Sequence, residues 1–373
     1  MRIIHVLNAL CSGGAEVVIC QLAIKQQEAG HNVMILTYSG SLDDKGDELV
    51  RMLASKGVCQ KHLDIKQNYK KWVIPFKFAL VIRGFCPDTI NVHLPACDFF
   101  VAMAMVLKIP FRRNHRKIAY VRTVHSTMPG EVLHPWPQRF MDLSYDRVIA
   151  CSQAVMLYSE SSLKIDSYIN NGVDLDHLPE LIEKKALDNC IAESNILNLV
   201  CVGSMTTFMG MPRKRQDLVI RALAKIKDNS FKISFLGDGE LKNELEQLAR
   251  ELGIEEQCTF LGRIENVVSF LKSTDVFILP SLAEGLSIAA IEAGCMGLPL
   301  LVSNIEAFKP FEGPATLFHQ AGNLDSLVES LLALKKNRKK LTKIAYSQAK
   351  CYRSRFCLES VSLKYIEEYN LCH

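Results

Sequence analysis

The sequence predicts two α/β domains, each a parallel sheet flanked by helices, and three observations carry that prediction. Short apolar runs of strand length alternate with longer stretches of helical periodicity along most of the chain. The succession strand, glycine turn, helix occurs at residues 3–29, with Gly13 and Gly14 in the turn, and starts again at residue 197 with Gly203. The length, 373 residues, holds two domains of about 170 to 190 residues, each able to bury its own core.

In the first half, residues 3–7 read as a strand, and the turn that follows carries Ser12, Gly13 and Gly14. The helix over 15–29 ends at Gly30, and a second strand at 33–37 completes a βαβ unit of the kind parallel sheets require. Helices are expected at 45–57 and 72–85, a strand at 89–93, an apolar helix at 99–107 and a strand at 118–124. His125 stands at the carboxyl end of that last strand, where ligands gather in open α/β sheets; His93, at the end of its own strand, is a second candidate. Residues 128–137, with three prolines and Trp136, read as an irregular loop suited to shaping an acceptor pocket. The run DRVIACS at 146–152 is a strand leading into a helix at Gln153, with Ser152 placed as its N-cap.

Residues 175–195 are polar and suit an interdomain connection, so the first domain is expected to span 1–174 and the second 196–345, with a helical tail at 346–373. The second domain opens with a strand at 197–202, then Gly203, then Lys214 and Arg215 ahead of a helix. A strand at 232–236 ends at Gly237-Asp238-Gly239, a charged helix covers 240–252, and a short strand covers 258–261. Neither glycine turn has the G-x-G-x-x-G spacing of a dinucleotide fold.

The stretch DVFILPSLAEGLSIAAIEAGCMGLPLLV, residues 275–302, carries most of the chemistry. Its strand at 276–279 stops at Pro280, which cannot donate to a sheet ladder. Glu284 and Gly285 lie in the following loop, and from about Leu286 the residues turn helical. The free N–H groups of a helix start, here around Leu286 and Ser287, favour an anion such as a phosphate, and Gly285 lets it come close. Glu284 and Glu292 sit on either side of that start, and eight helical residues span roughly 12 Å. The pair can therefore grip the two ends of one extended ligand with phosphates between them, the layout of a nucleotide-sugar. A strand at 298–302, a helix at 323–334, a basic run at 335–340 and one or two helices over 341–369 complete the chain.

Pro280, Ser281, Glu284, Gly285, Glu292 and Ala293 together resemble the P-S-x-x-E-G-x6-E-A signature of glycosyltransferase family 4, retaining enzymes of the GT-B fold. The resemblance extends over the chain: Gly13 to Glu16 (G-G-A-E), Val121 to His125, the D-x-V-x-x-x-S of 146–152, the N-G-V-D of 171–174 and Lys214 all have counterparts in order. It implies two Rossmann-like domains facing a central cleft, with the C-terminal tail crossing back to the first domain. It implies that Glu284 contacts the donor sugar hydroxyls, Glu292 the ribose, Lys214 the diphosphate and His125 the sugar. Gly13, Gly14, Gly237, Gly285, Leu286 and Ser287 would line the donor site, and residues 261–264 would contact the base. Family members show an arginine where this chain has Ser204, so Arg213 or Arg215 would supply that charge. The family usually works without a metal, so no cofactor is expected beyond the nucleotide-diphosphate sugar itself. Bacterial surface polysaccharide assembly on a lipid-linked oligosaccharide is the expected setting. A nucleotide-sugar 2-epimerase and a non-catalytic nucleotide-sugar or glycan binder are the alternatives.

Composition limits the remaining classes. With 49% hydrophobic and 23% charged residues the chain has the make-up of a globular protein, and no stretch reaches the roughly 18 apolar residues a spanning helix needs. The opening MRIIHVLNAL leads into a turn with no small-residue cleavage site, so it reads as a strand and not a signal peptide, which points to the cytoplasm. Thirteen cysteines fall singly, with no C-x-x-C pair for zinc or redox work; Cys20, Cys201 and Cys258 sit in apolar runs and read as buried thiols. Residues 1–174 hold 20 Lys+Arg against 15 Asp+Glu, a net of +5 out of the whole chain's +4. The densest basic cluster, Arg112, Arg113, Arg116 and Lys117, suits peripheral contact with an anionic membrane or a phosphate-bearing acceptor; no nucleic-acid motif accompanies it.

Overall fold

The computed structural model describes residues 1–11, 13–63, 73–93, 101, 103, 118–126, 144–159, 164–181, 195–208, 210–264 and 266–373. The chain divides into two units, Met1–Val173 with Leu358–His373, and Asp174–Cys357.

In the first unit β1 (Arg2–Leu7), β2 (Asn32–Thr37), β3 (Cys59–His62), β4 (Thr89–Val92), β5 (Ala119–Val124), β6 (Arg147–Ala150) and β7 (Ser167–Tyr168) form one sheet. Its order is β3-β2-β1-β4-β5-β6-β7, with every neighbouring pair parallel. The central strands read as continuous apolar runs because both faces are covered: in β1 only Arg2 is exposed. Alternation along β1 sends Ile4 and Val6 into one core, with Phe78 and Ile82 of α3 (Ile74–Phe85) and Val155 of α4 (Gln153–Ser159). Ile3 and Leu7 enter the opposite core with Ile19, Leu22 and Ala23 of α1 (Gly14–Glu28) and Leu49 and Leu53 of α2 (Asp44–Ser55). His5 lies on that second face. Strand β3 was not foreseen because CQKH has no apolar run; it is an edge strand with its side chains alternately exposed.

The second unit repeats the plan. The strands β8 (Leu197–Val202), β11 (Phe231–Leu236), β12 (Cys258–Gly262), β13 (Val276–Leu279), β14 (Leu300–Ser303) and β15 (Thr316–His319) are parallel in the order β12-β11-β8-β13-β14-β15. A small antiparallel hairpin, β9 (Thr207–Phe208) and β10 (Met211–Pro212), stands between β8 and the first helix. The helices are α5 (Gln216–Ile226), α6 (Lys242–Glu251), α7 (Val267–Leu271), α8 (Ile288–Cys295), α9 (Leu324–Lys336) and α10 (Arg338–Arg355). In each unit the strand order reverses beside the first strand, between β1 and β4 and between β8 and β13, which makes a crevice beyond the carboxyl ends of the strands.

Three expected boundaries move. The return to the first unit comes at Leu358, where α11 (Leu358–Asn370) begins, and not at residue 346. Helix α10 runs unbroken through 346, and its Tyr352 ring lies against Gly294 of α8, where a Cβ would meet the ring at 2.8 Å. The strand expected from 298 starts at Leu300, since Gly297 has a positive φ of 81° and Pro299 donates no hydrogen bond. The basic run 335–340 splits: Lys335 ends α9 and pairs with Asp228, whereas Arg338 opens α10 and donates to Asp275 at 2.6 Å. In the first unit α11 covers α1, with Lys25 paired to Glu359 at 2.7 Å and Arg147 to Glu368 at 2.6 Å. The helix at 99–107, the loop 128–137, the basic cluster at 112–117 and most of the 175–195 connection lie outside the described residues.

Candidate active site

In the second unit the candidate residues gather at the carboxyl ends of the strands on both sides of the β8/β13 switch point. Gly203 ends β8, Gly237 ends β11, and the loop from Pro280 to Ser287 follows β13. The Lys214 stem crosses Gly203, where a Cβ would meet Lys214 Cε at 3.1 Å. That route brings Lys214 Nζ to Glu284 Oε1, to which it donates at 2.6 Å. Both partners are buried, at 9% and 7% exposure. Burial alone would push the Glu284 carboxyl up; the charges of Lys214 and Arg213 outweigh it and hold the group below the usual carboxylate range. An ammonium has three donors, and Glu284 takes one. Leu282 N donates to Arg213 O at 2.9 Å, which ties the carboxylate loop to the cation loop.

The two arginines differ in what they do. Arg215, in a left-handed conformation before α5, is held in two hydrogen bonds by Asp217, at 2.9 and 3.1 Å. Arg213 is the arginine whose charge reaches Glu284.

The helix after β13 begins at Ile288, two residues later than the sequence suggests, because Ser287 caps it: Ala290 N donates to Ser287 Oγ at 3.3 Å, and Ile291 N to Ser287 O at 3.1 Å. Leu286 and Ser287 are therefore buried loop and cap residues, and Glu292 lies half-buried in the second turn of α8. Across the strand ends, Gly237 has a φ of 131°, and a Cβ there would stand 2.2 Å from Gly203 O. Only glycine fits, and it lets Gly203 N and Gly237 N be satisfied by Leu236 O and Gly262 O, at 2.9 and 2.7 Å. A groove of about 550 Å³ lined by Pro212, Gln216, Arg221, Leu241 and Leu245 lies along α5 and α6 and holds none of the predicted residues.

In the first unit Gly13 is the N-cap of α1 and Gly14 its first residue. Glu16 folds back over Gly13, where a Cβ would meet its carboxylate at 2.0 Å, whereas the space beside Gly14 is open. His125 follows β5, as expected. It does not stand alone: His93 Nδ1 lies 3.1 Å from His125 Nε2, His5 Nδ1 lies 2.8 Å from His93 Nε2, and Gln26 Oε1 lies 2.8 Å from His5 Nε2. Burial lowers His5 and His125 to about 4, and it lowers His93 too, with the two flanking rings acting in the same direction.

Comparison with known proteins places this geometry. The description "Glycosyltransferase Family 4" matches residues 12–177, and "Glycosyl transferases group 1" matches residues 210–350, so the two models divide the chain as its two sheets do. The chain is a glycosyltransferase of the family 4 type. The glycosyltransferase is 27% identical over 325 residues to the Escherichia coli UDP-Gal:alpha-D-GlcNAc-diphosphoundecaprenol alpha-1,3-galactosyltransferase, covering 82% of this chain and 80% of that one. It is 24% identical over 388 residues to an O-antigen biosynthesis glycosyltransferase of the same species, covering 99% and 98%. Among solved structures, Anabaena HepE in complex with UDP superposes with a TM-score of 0.80 at 17% identity, covering 99% of this chain and 100% of that one. Both units thus have the parallel α/β fold of GT-B enzymes.

Of the predicted residues, Lys214, Glu284, Gly237, Gly285, Leu286 and Ser287 lie at the strand ends of the second unit and Glu292 in the helix that follows, while Gly13, Gly14 and His125 belong to the first. Arg215 also lies at that face but is engaged by Asp217. Sequence reasoning missed His5 and Gln26. A histidine inside the apolar run IIHVL and a glutamine on the buried side of α1 were the available signals.

Proposed function

We propose that this glycosyltransferase moves a sugar from a nucleotide-diphosphate donor to an acceptor hydroxyl with retention of configuration, on a lipid-linked intermediate of bacterial surface polysaccharide assembly. The observation that carries the donor reading is the buried Lys214–Glu284 pair at the switch point of the second sheet. A departing diphosphate needs positive charge already in place, and Lys214, Arg213 and the N–H groups ahead of α8 offer it on one face. Arg213 takes the part of the arginine replaced at Ser204. Glu284, ionised and fixed by Lys214, accepts hydrogen bonds from sugar hydroxyls; Glu292 does so from the ribose; His125 is assigned a sugar hydroxyl. With cations and backbone donors in these roles the reaction proceeds without a metal. The lipid-linked acceptor and work at a membrane surface rest on the undecaprenyl-linked substrate in the name of the galactosyltransferase relative and on the basic first half of the chain.

The test is a thermal-shift and transfer assay with UDP-glucose, UDP-galactose and their GDP counterparts, using a synthetic polyprenyl-diphosphate sugar as acceptor. One donor should raise Tm by mass action, lose that effect in Glu292→Ala, and give an α-linked product in the presence of EDTA. No shift with any donor would overturn the donor reading, an inverted product the retaining one, and full loss of turnover with EDTA the metal-free one.

A further inference from the structure

The three histidines of the first unit form a directional series. A neutral imidazole has one N–H and one bare nitrogen, so each ring in a hydrogen-bonded row must donate at one end and accept at the other. Gln26 presents its Oε1 to His5 Nε2, and an amide oxygen only accepts, so His5 carries its proton on Nε2. His5 Nδ1 is then bare and accepts from His93 Nε2, and His93 Nδ1 in turn accepts from His125 Nε2. The direction passes unchanged through the row and ends at His125 Nδ1. That atom is shielded and has no hydrogen-bond partner among the described residues. Leaving such an acceptor unmet is unfavourable, and a bound hydroxyl would relieve it.

The row is held from both sides. Gln26 and His5 are fully buried and His93 is 1% exposed. The His5 and His93 rings stack with centroids 5.1 Å apart, and the His125 ring is tilted by 40° against His93 at 5.3 Å. The far end is a neutral amide and not a carboxylate: burial outweighs the hydrogen bond to Gln26 and keeps His5 neutral, unlike a histidine base backed by an acid.

We propose that Gln26, His5 and His93 are positioning residues that fix His125 in the neutral Nε2–H tautomer, so that its bare Nδ1 serves as a hydrogen-bond acceptor for a substrate hydroxyl and not as a proton-accepting base. The proposal rests on the reading that His125 meets the sugar, and its experiment separates the two. In protein labelled with 15N histidine, long-range 1H–15N correlation at neutral pH reports which ring nitrogen carries the proton. Wild type should show His125 protonated on Nε2 alone. In Gln26→Leu and in His93→Phe, both checked for folding by far-UV circular dichroism, the single His125 form should give way to a mixture of tautomers. A wild-type His125 protonated on Nδ1, or a tautomer unchanged in both folded variants, overturns the proposal. If the tautomers behave as expected and UDP-glucose or UDP-galactose shifts the Nδ1 signal, both readings hold. If they behave as expected and no donor moves that signal, the positioning role stands and it is the sugar contact that fails.

Discussion

At the scale of the residue, the Lys214–Glu284 pair joins stability to function, and its energetics can be separated from its chemistry. Removing one partner of a buried ion pair strands a charge, at a cost of about 3–5 kcal/mol, whereas replacing both with apolar groups is often nearly neutral. Lys214→Met and Glu284→Leu should each lower the unfolding free energy of the second unit by that order. The double variant should recover most of the loss, yet bind no donor. Urea denaturation with donor titration checks this; a double variant as unstable as either single one would mean that the pair is not the unit of energy here. The Glu284 carboxyl is held below its ordinary value, so its contribution is present above the unfolded carboxylate pKa and fades as pH falls through the depressed one.

At the scale of the element, the strand-end loops are set by backbone constraints. Gly237 adopts a φ closed to other residues and would drive a Cβ into a backbone carbonyl, which cannot swing aside. Gly237→Ala should therefore weaken donor affinity and lower Tm together, while Ser287→Ala, which removes only a cap, should cost about 0.5–2 kcal/mol and leave a folded enzyme. Calorimetry on the two variants distinguishes the effects. The same contrast shows what was legible beforehand. Strand β13, Glu284 and Gly285 announce themselves locally, through an apolar run broken by proline and a glycine loop. The start of α8 was misplaced because a loop residue as apolar as Leu286 has the hydrophobicity of a helix and the hydrogen bonding of neither helix nor strand. The hairpin β9–β10 has two residues to a strand, too short for any periodicity. The histidine row was invisible because its members, at positions 5, 93 and 125, meet only when β1, β4 and β5 lie side by side.

At the scale of the whole molecule, the buried histidines predict an asymmetry between the units. Folded His5 and His125 resist protonation until about pH 4, while unfolded histidine accepts a proton near 6.5. Between those values the unfolded first unit binds more protons than the folded one, so its stability falls as pH drops, by about 1.4 kcal/mol per pH unit for each such histidine. Above pH 7 the slope should vanish. His319 is lowered by burial in the second unit, but no comparable row exists there among the described residues, so its acid transition should be shallower over the same window. Denaturant unfolding of the two units followed separately by hydrogen exchange from pH 7.5 to 4.5 would show it; equal slopes would contradict the assignment. Among the described residues no helix is long and apolar enough to cross a membrane.

The placement of α11 also bears on how the protein is made. Tyr365 and Tyr369 fill the core beside α1, and Asn91 of β4 donates to the Tyr369 hydroxyl at 2.8 Å. A ribosome delivers these residues only after all of Asp174–Cys357 has emerged. The first unit to be translated is thus sealed only after the second, and nascent chains wait with the core beside α1 incomplete until α11 emerges.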